Sequence, residues 1–185
     1  MSLDIENLPV FHFGGFAASG GSALRDFFNE FEDIYLFPCE FRLLKEKNGL
    51  LDLENSLFNS KSPDNIDLAI KDFIILCNNF ARITTKLKRR GLNYDKYTNG
   101  KFSLYVKEFI DNLIDYKYPL NTHNLDFRKN YFNSQFERLI LKILPYTYFE
   151  QEAFMCYPNI DKYIYLAKKL ISSILFEASK PVSYT

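Results

Sequence analysis

FHFGGFAASGGSALRDFF, residues 11–28, decides how the chain is read. A short apolar run, PVFHF at 9–13, meets a turn of small residues. An amphipathic helix opens inside that turn, with Ala23, Leu24, Phe27, Phe28 and Phe31 on one face. Arg25, Asp26, Asn29 and Glu30 fall elsewhere on it. IYLF, 34–37, follows as a second short apolar run, suited to a parallel strand buried on both faces. Strand, glycine-rich turn, helix and strand form a βαβ unit, whose crossover should be right-handed.

Within the turn, Gly15 to Ser22 has the spacing G-x-x-x-x-G-x-S. A nucleoside-triphosphate loop of this type needs a lysine where Gly21 stands, to neutralise the β- and γ-phosphates. That absence argues against an ATPase or a kinase. The rest of the device is in place. Gly20 and Gly21 let the backbone turn tightly and come close to a ligand. The amides of residues 19–23 can point inward at a helix N-terminus, where the dipole favours an anion. Ser19 and Ser22 add hydroxyl donors. The simpler alternative is a Gly/Ser turn that only caps the helix.

Beyond the turn the pattern is helical. EFRLLKEKNG, 40–49, ends in an Asn-Gly turn, and GLLDLENSLF reads as a short helix. Ser62-Pro63 looks like an N-cap with proline at the first helical position. The segment it opens carries Ile66, Ile70, Phe73, Cys77, Phe80 and Leu87 at helical spacing and runs to about Arg90, where Gly91 offers a stop. Residues 101–116 repeat the pattern with Phe102, Tyr105, Val106, Phe109, Ile110 and Leu113, ending before Pro119. Phe136, Leu139, Ile140 and Ile143 mark another helix, closed by Pro145. Ile160, Tyr163, Ile164, Ala167, Leu170, Ile171, Ile174 and Leu175 form the widest apolar stripe. PVSYT after Lys180 begins a third strand.

The expected fold is therefore α/β, a short parallel sheet of the P-loop NTPase type with a large helical insertion between the second and third strands. Residues 1–185 form one domain: a nucleotide-binding βαβ start at 9–60, the insertion at 61–157, and a helix with the third strand at 158–185. A doubly wound sheet does not normally end on its third strand. Either the sheet is small, or the chain is the N-terminal part of something longer.

Composition narrows the class. The 185 residues are 47% hydrophobic and 25% charged, which suits a globular domain with a sizeable core. Phe and Tyr number 19 and 13, so that core should be rich in rings. Basic and acidic residues balance at 23 each, which removes the global electrostatic case for nucleic acid or an anionic membrane. No apolar run reaches the roughly 18 to 20 residues of a membrane span, and MSLDIENLPV is no secretory signal. Cys39, Cys77 and Cys156 are odd in number and far apart, against a disulfide framework or a zinc site and in keeping with a reducing cytoplasm.

S-G-G-S followed by an apolar helix resembles the S-G-[TS]-[TS] loop of the sulfotransferases, and the layout from Pro9 to Leu57 is similar to bacterial sulfotransferase-like proteins of glycan and lipopolysaccharide gene clusters. The resemblance implies a P-loop-like fold that binds 3′-phosphoadenosine-5′-phosphosulfate. Ser19, Gly20, Gly21, Ser22 and Ala23 would then be the 5′-phosphosulfate loop, with Gly15 at its start. It further implies transfer of the sulfuryl group to a hydroxyl of a glycan or lipid carbohydrate, without a metal. Two departures stand out. Many members carry Lys or Arg just before S-G, where this chain has Ala18. The Arg and Ser that bind the 3′-phosphate follow the third strand, a position past Thr185.

Glu40 follows the second strand, where ligands sit in open α/β sheets, and is the candidate base for an acceptor hydroxyl. Arg42 is a candidate for holding sulfate. The plain alternative is a Glu–Arg pair at a strand edge. His12 reads as a packing residue, and His123 lies in a polar loop. KLKRR, 86–90, suits a solvated helix C-terminus. FRKNYF, 127–132, mixes rings and cations without the net charge of a nucleic-acid binder. The competing functions are a catalytically degenerate nucleotide-binding or interaction module, and a small-molecule kinase.

Overall fold

The structure is a computed structural model that describes residues 10, 21–60, 62–81, 92–121, 150–157 and 159–180. Among these, the helices are α1 (Gly21–Phe28), α2 (Leu50–Asn59), α3 (Pro63–Ala81), α4 (Tyr94–Tyr97), α5 (Phe102–Leu113) and α6 (Ile160–Ser179). Two strands, β1 (Tyr116–Asn121) and β2 (Glu150–Met155), pair antiparallel.

Each long helix buries the stripe its sequence spells out. Leu50, Leu53 and Leu57 of α2 are buried, one or two turns apart. Ile70, Phe73, Cys77 and Phe80 line the inner face of α3, and Phe102, Val106, Phe109, Ile110 and Leu113 that of α5. Tyr163, Leu166, Leu170 and Ile174 do the same for α6. Asn159 caps α6 by accepting from the Asp161 amide at 2.8 Å. Rings knit the faces together: Phe73 lies 5.6 Å from Phe109, and Phe109 lies 6.1 Å from Tyr163. The Tyr163 hydroxyl donates to the Leu50 carbonyl at 2.6 Å, so this buried ring ties α6 to the start of α2 without an unsatisfied oxygen.

The turn before α2 depends on Gly49. A Cβ there would stand 2.6 Å from the Leu43 carbonyl oxygen and 2.8 Å from that of Glu46. Both oxygens are occupied closing the turn, by the amides of Leu50 and Gly49 at 2.9 and 2.7 Å. Asn48 just before it takes a left-handed φ of 65°.

Tyr94 is the centre of a second ring cluster. It is 0% exposed, stacks on Phe41 at 6.0 Å and meets Phe37, Phe80 and Phe102 at 5.4, 5.4 and 5.1 Å. Its hydroxyl donates to the Glu40 carbonyl and accepts from the Arg42 amide, both at 2.8 Å. One-turn α4 thereby fixes the irregular stretch around residue 40. Thr98 then links α4 to α5, its hydroxyl donating to the Tyr94 carbonyl at 2.9 Å and accepting from the Phe102 amide at 3.0 Å.

The β-ribbon runs from Tyr116↔Met155 to Asn121↔Glu150. The Phe154 amide donates not across the ribbon but to Asp67 of α3, at 2.9 Å. Lys117↔Phe154 is therefore a non-hydrogen-bonded pair, and so is Pro119↔Glu152 two residues along. Pro119 sits where no ladder donor is needed, the position an edge strand tolerates. Lys71 stands 5.8 Å from the Phe154 ring and pins the ribbon to α3, while Lys117 of β1 covers the same ring at 5.7 Å from within the ribbon.

Several expectations meet these facts differently. Both α and β elements are present, but the described part is mostly helical and its strands are antiparallel. The parallel sheet is not found among the described residues. IYLF, 34–37, forms no strand. Phe37 is drawn into the ring cluster around Tyr94, and the Tyr35 hydroxyl donates to the Ala178 carbonyl at the end of α6. The helix expected over 101–116 stops at Leu113, because Ile114 turns extended (ψ 130°) and Tyr116 starts β1. The stretch 61–157, read as a helical insertion, thus also carries the ribbon. The first strand at 9–13 (Val10 apart), the third at 181–185, the helix around 136–145 and the end of the long helix after Ala81 lie outside the described residues. No helix among the described residues is long and apolar enough to cross a membrane.

Candidate functional site

The described part of helix α1 runs from Gly21 to Phe28 and takes in Gly21, Ser22 and Ala23 of the small-residue turn, while Gly15, Ser19 and Gly20 lie outside the described residues. Gly21 is exposed, and a Cβ added to it would meet nothing within 4 Å. The opening residues of the described helix include no acidic side chain. Arg25 sits one turn on, and its guanidinium donates to the Pro38 carbonyl at 3.1 Å, tethering α1 to the stretch that leads into Glu40.

Glu40 and Arg42 are brought together, with Nε of Arg42 4.0 Å from the Glu40 carboxylate. The same guanidinium also pairs with Glu46, one helical turn further along. The Arg42 side chain is 45% exposed and that of Glu40 82%, so both pairs stand in water and contribute little to stability. Their backbone is fixed by the Tyr94 hydroxyl, while the Glu40 carboxylate reaches into solvent. An anion at Arg42 would have to compete with the charges of Glu40 and Glu46. His12, His123, KLKRR and FRKNYF lie outside the described residues.

A carboxylate that the sequence reading passed over is better built. Glu177 of α6 has a side chain only 4% exposed, and donors surround it. Lys101 Nζ (2.9 Å) and Asn99 Nδ2 (3.3 Å) reach one oxygen; Lys180 Nζ (2.8 Å) and the Tyr105 hydroxyl (3.1 Å) reach the other. Burial pushes this carboxyl up, but the Lys101, Lys180, Asn99 and Tyr105 donors outweigh it and hold it down at about 2. Burial, reinforced by the Glu177 charge, raises the Tyr105 phenol to about 12. A carboxylate so held stays ionised with its lone pairs engaged, which makes it an anchor between the α4–α5 turn and α6 and a poor proton acceptor. Its signal was legible: Glu177 falls on the same face as Tyr163, Leu166, Leu170 and Ile174.

The remaining chemistry is sparse. A shallow groove, open to solvent, runs between α5 and α6 over Phe109, Leu166 and Leu170. The ion pair Lys169–Glu108, 2.7 Å, ties up its one carboxylate. Burial pushes the Cys39 and Cys156 thiols up to about 11 and the Cys77 thiol higher still, which keeps all three protonated and unreactive. Among the described residues no group of three His, Cys, Asp or Glu side chains could hold a metal ion. No family model matches the chain, and neither any curated protein nor any solved structure does.

Proposed function

We propose that this chain carries the phosphate-binding start of a sulfotransferase-like protein, which passes a sulfuryl group from phosphoadenosine phosphosulfate to a hydroxyl of a glycan or lipid carbohydrate. The observation that carries the reading is helix over Gly21–Phe28, next in sequence after Ser19-Gly20, with Gly21 exposed and room for a Cβ on it. On this reading the amides of residues 19–23 receive the 5′-phosphosulfate in place of a lysine. The acceptor oxygen attacks sulfur in line, the bond from sulfur to the bridging oxygen breaks, and the leaving 5′-phosphate keeps that electron pair. Glu40 takes the acceptor's proton, and Arg42, released from Glu46, balances charge on the transferring group.

The parallel sheet belongs to the same proposal, although residues 34–37 form no strand; the hydrogen bond from Tyr35 to Ala178 holds them beside the end of α6. Titration calorimetry with 3′-phosphoadenosine-5′-phosphate, the sulfate donor and ATP-Mg²⁺ tests the function. Binding of the first two alone is expected, lost on Gly20→Val in a protein that still folds. Undiminished binding by that variant, or binding of ATP alone, overturns the assignment.

A second reading, a nucleotide-binding or interaction module without turnover, is favoured by the hold of Glu40 and Glu46 on Arg42 and by Ala18 standing where a cation is expected. Nucleotide binding without sulfuryl transfer to any carbohydrate acceptor, or no nucleotide binding at all, is its signature.

A further inference from the structure

We draw no further inference here: the strongest candidate, the exposed apolar face of α1 formed by Leu24, Phe27 and, just beyond the helix, Phe31, carries nothing because nothing in the structure shows what covers it.

Discussion

Replacing Glu177 by Gln should make the fold less stable at neutral pH and indifferent to its loss in acid. The native carboxyl titrates at about 2 against an ordinary value of 4.5. A group whose folded pKa is depressed contributes stability above its unfolded pKa and loses it as pH falls towards the folded one. The window is therefore from about pH 5 down to about pH 2. The full shift corresponds to about 3 kcal/mol. Water screens the two lysine partners, whose side chains are 47% and 43% exposed, so we expect about 2 kcal/mol in practice. Gln keeps the shape and can still accept from Asn99 or Tyr105, which isolates the charge. Urea unfolding followed by far-UV circular dichroism at pH 7, 5 and 3 reads the difference between the two proteins, and other carboxylates cancel in it. The gap should be largest at pH 7 and shrink as the pH falls. Equal stability at pH 7, or a gap that stays constant down to pH 3, would refute the charged anchor.

Phe73→Ala, at a side chain that is 0% exposed against Phe109, should cost about 3–5 kcal/mol in the same unfolding assay. Tyr94→Phe removes the hydroxyl between the Glu40 carbonyl and the Arg42 amide and should cost about 1–3 kcal/mol. Hydrogen exchange should show that loss as faster exchange of the Arg42 amide. Gly49→Ala forces a Cβ against two carbonyl oxygens and should lower stability by about 1–3 kcal/mol. Gly21→Ala meets open space and should leave the thermal midpoint unchanged or slightly raised, since Ala suits a helix better than Gly. A Gly21→Ala variant that unfolds would mean that Gly21 is not an exposed helical position.

The helices α2, α3, α5 and α6 were legible because burial on one face imposes a 3.6-residue period, and Ser62-Pro63 marks the start of α3. The ribbon was not. EQEAFM is composed mainly of helix formers, and it becomes a strand through its pairing with Tyr116–Asn121 and the hold of Asp67 on the Phe154 amide, both distant in sequence. Pro119 was visible, but a proline that stops a helix and one that tolerates a strand edge look alike in one dimension. Four apolar residues at 34–37 are too few to separate a strand from an extended segment drawn into a ring cluster. Near the candidate site, the helix over Gly21–Phe28 was readable from the spacing of Ala23, Leu24, Phe27 and Phe28. The engagement of Arg42 was half readable, since Glu46 lies four residues on and a helical turn brings the two charges together.

The described body positions more than it reacts. Asp95 apart, its buried titratable groups are either thiols and phenols held protonated by burial or a carboxylate held ionised by its donors, and neither state gives or takes a proton near neutrality. What the body does supply is a fixed frame for the N-terminal stretch. Tyr94 clamps the backbone around Glu40 and Arg42, Arg25 ties α1 to Pro38, and Tyr35 ties the extended segment between them to α6. Those three attachments leave the first turn of α1 exposed while the residues behind it are held. Chemistry at the turn is therefore separable from stability in the body. Changes at Gly20 or Gly21 should move ligand binding with the fold intact, and changes at Gly49, Phe73 or Glu177 should move stability. A variant of the second group that altered nucleotide affinity without altering stability would mean that the body contributes directly to the site.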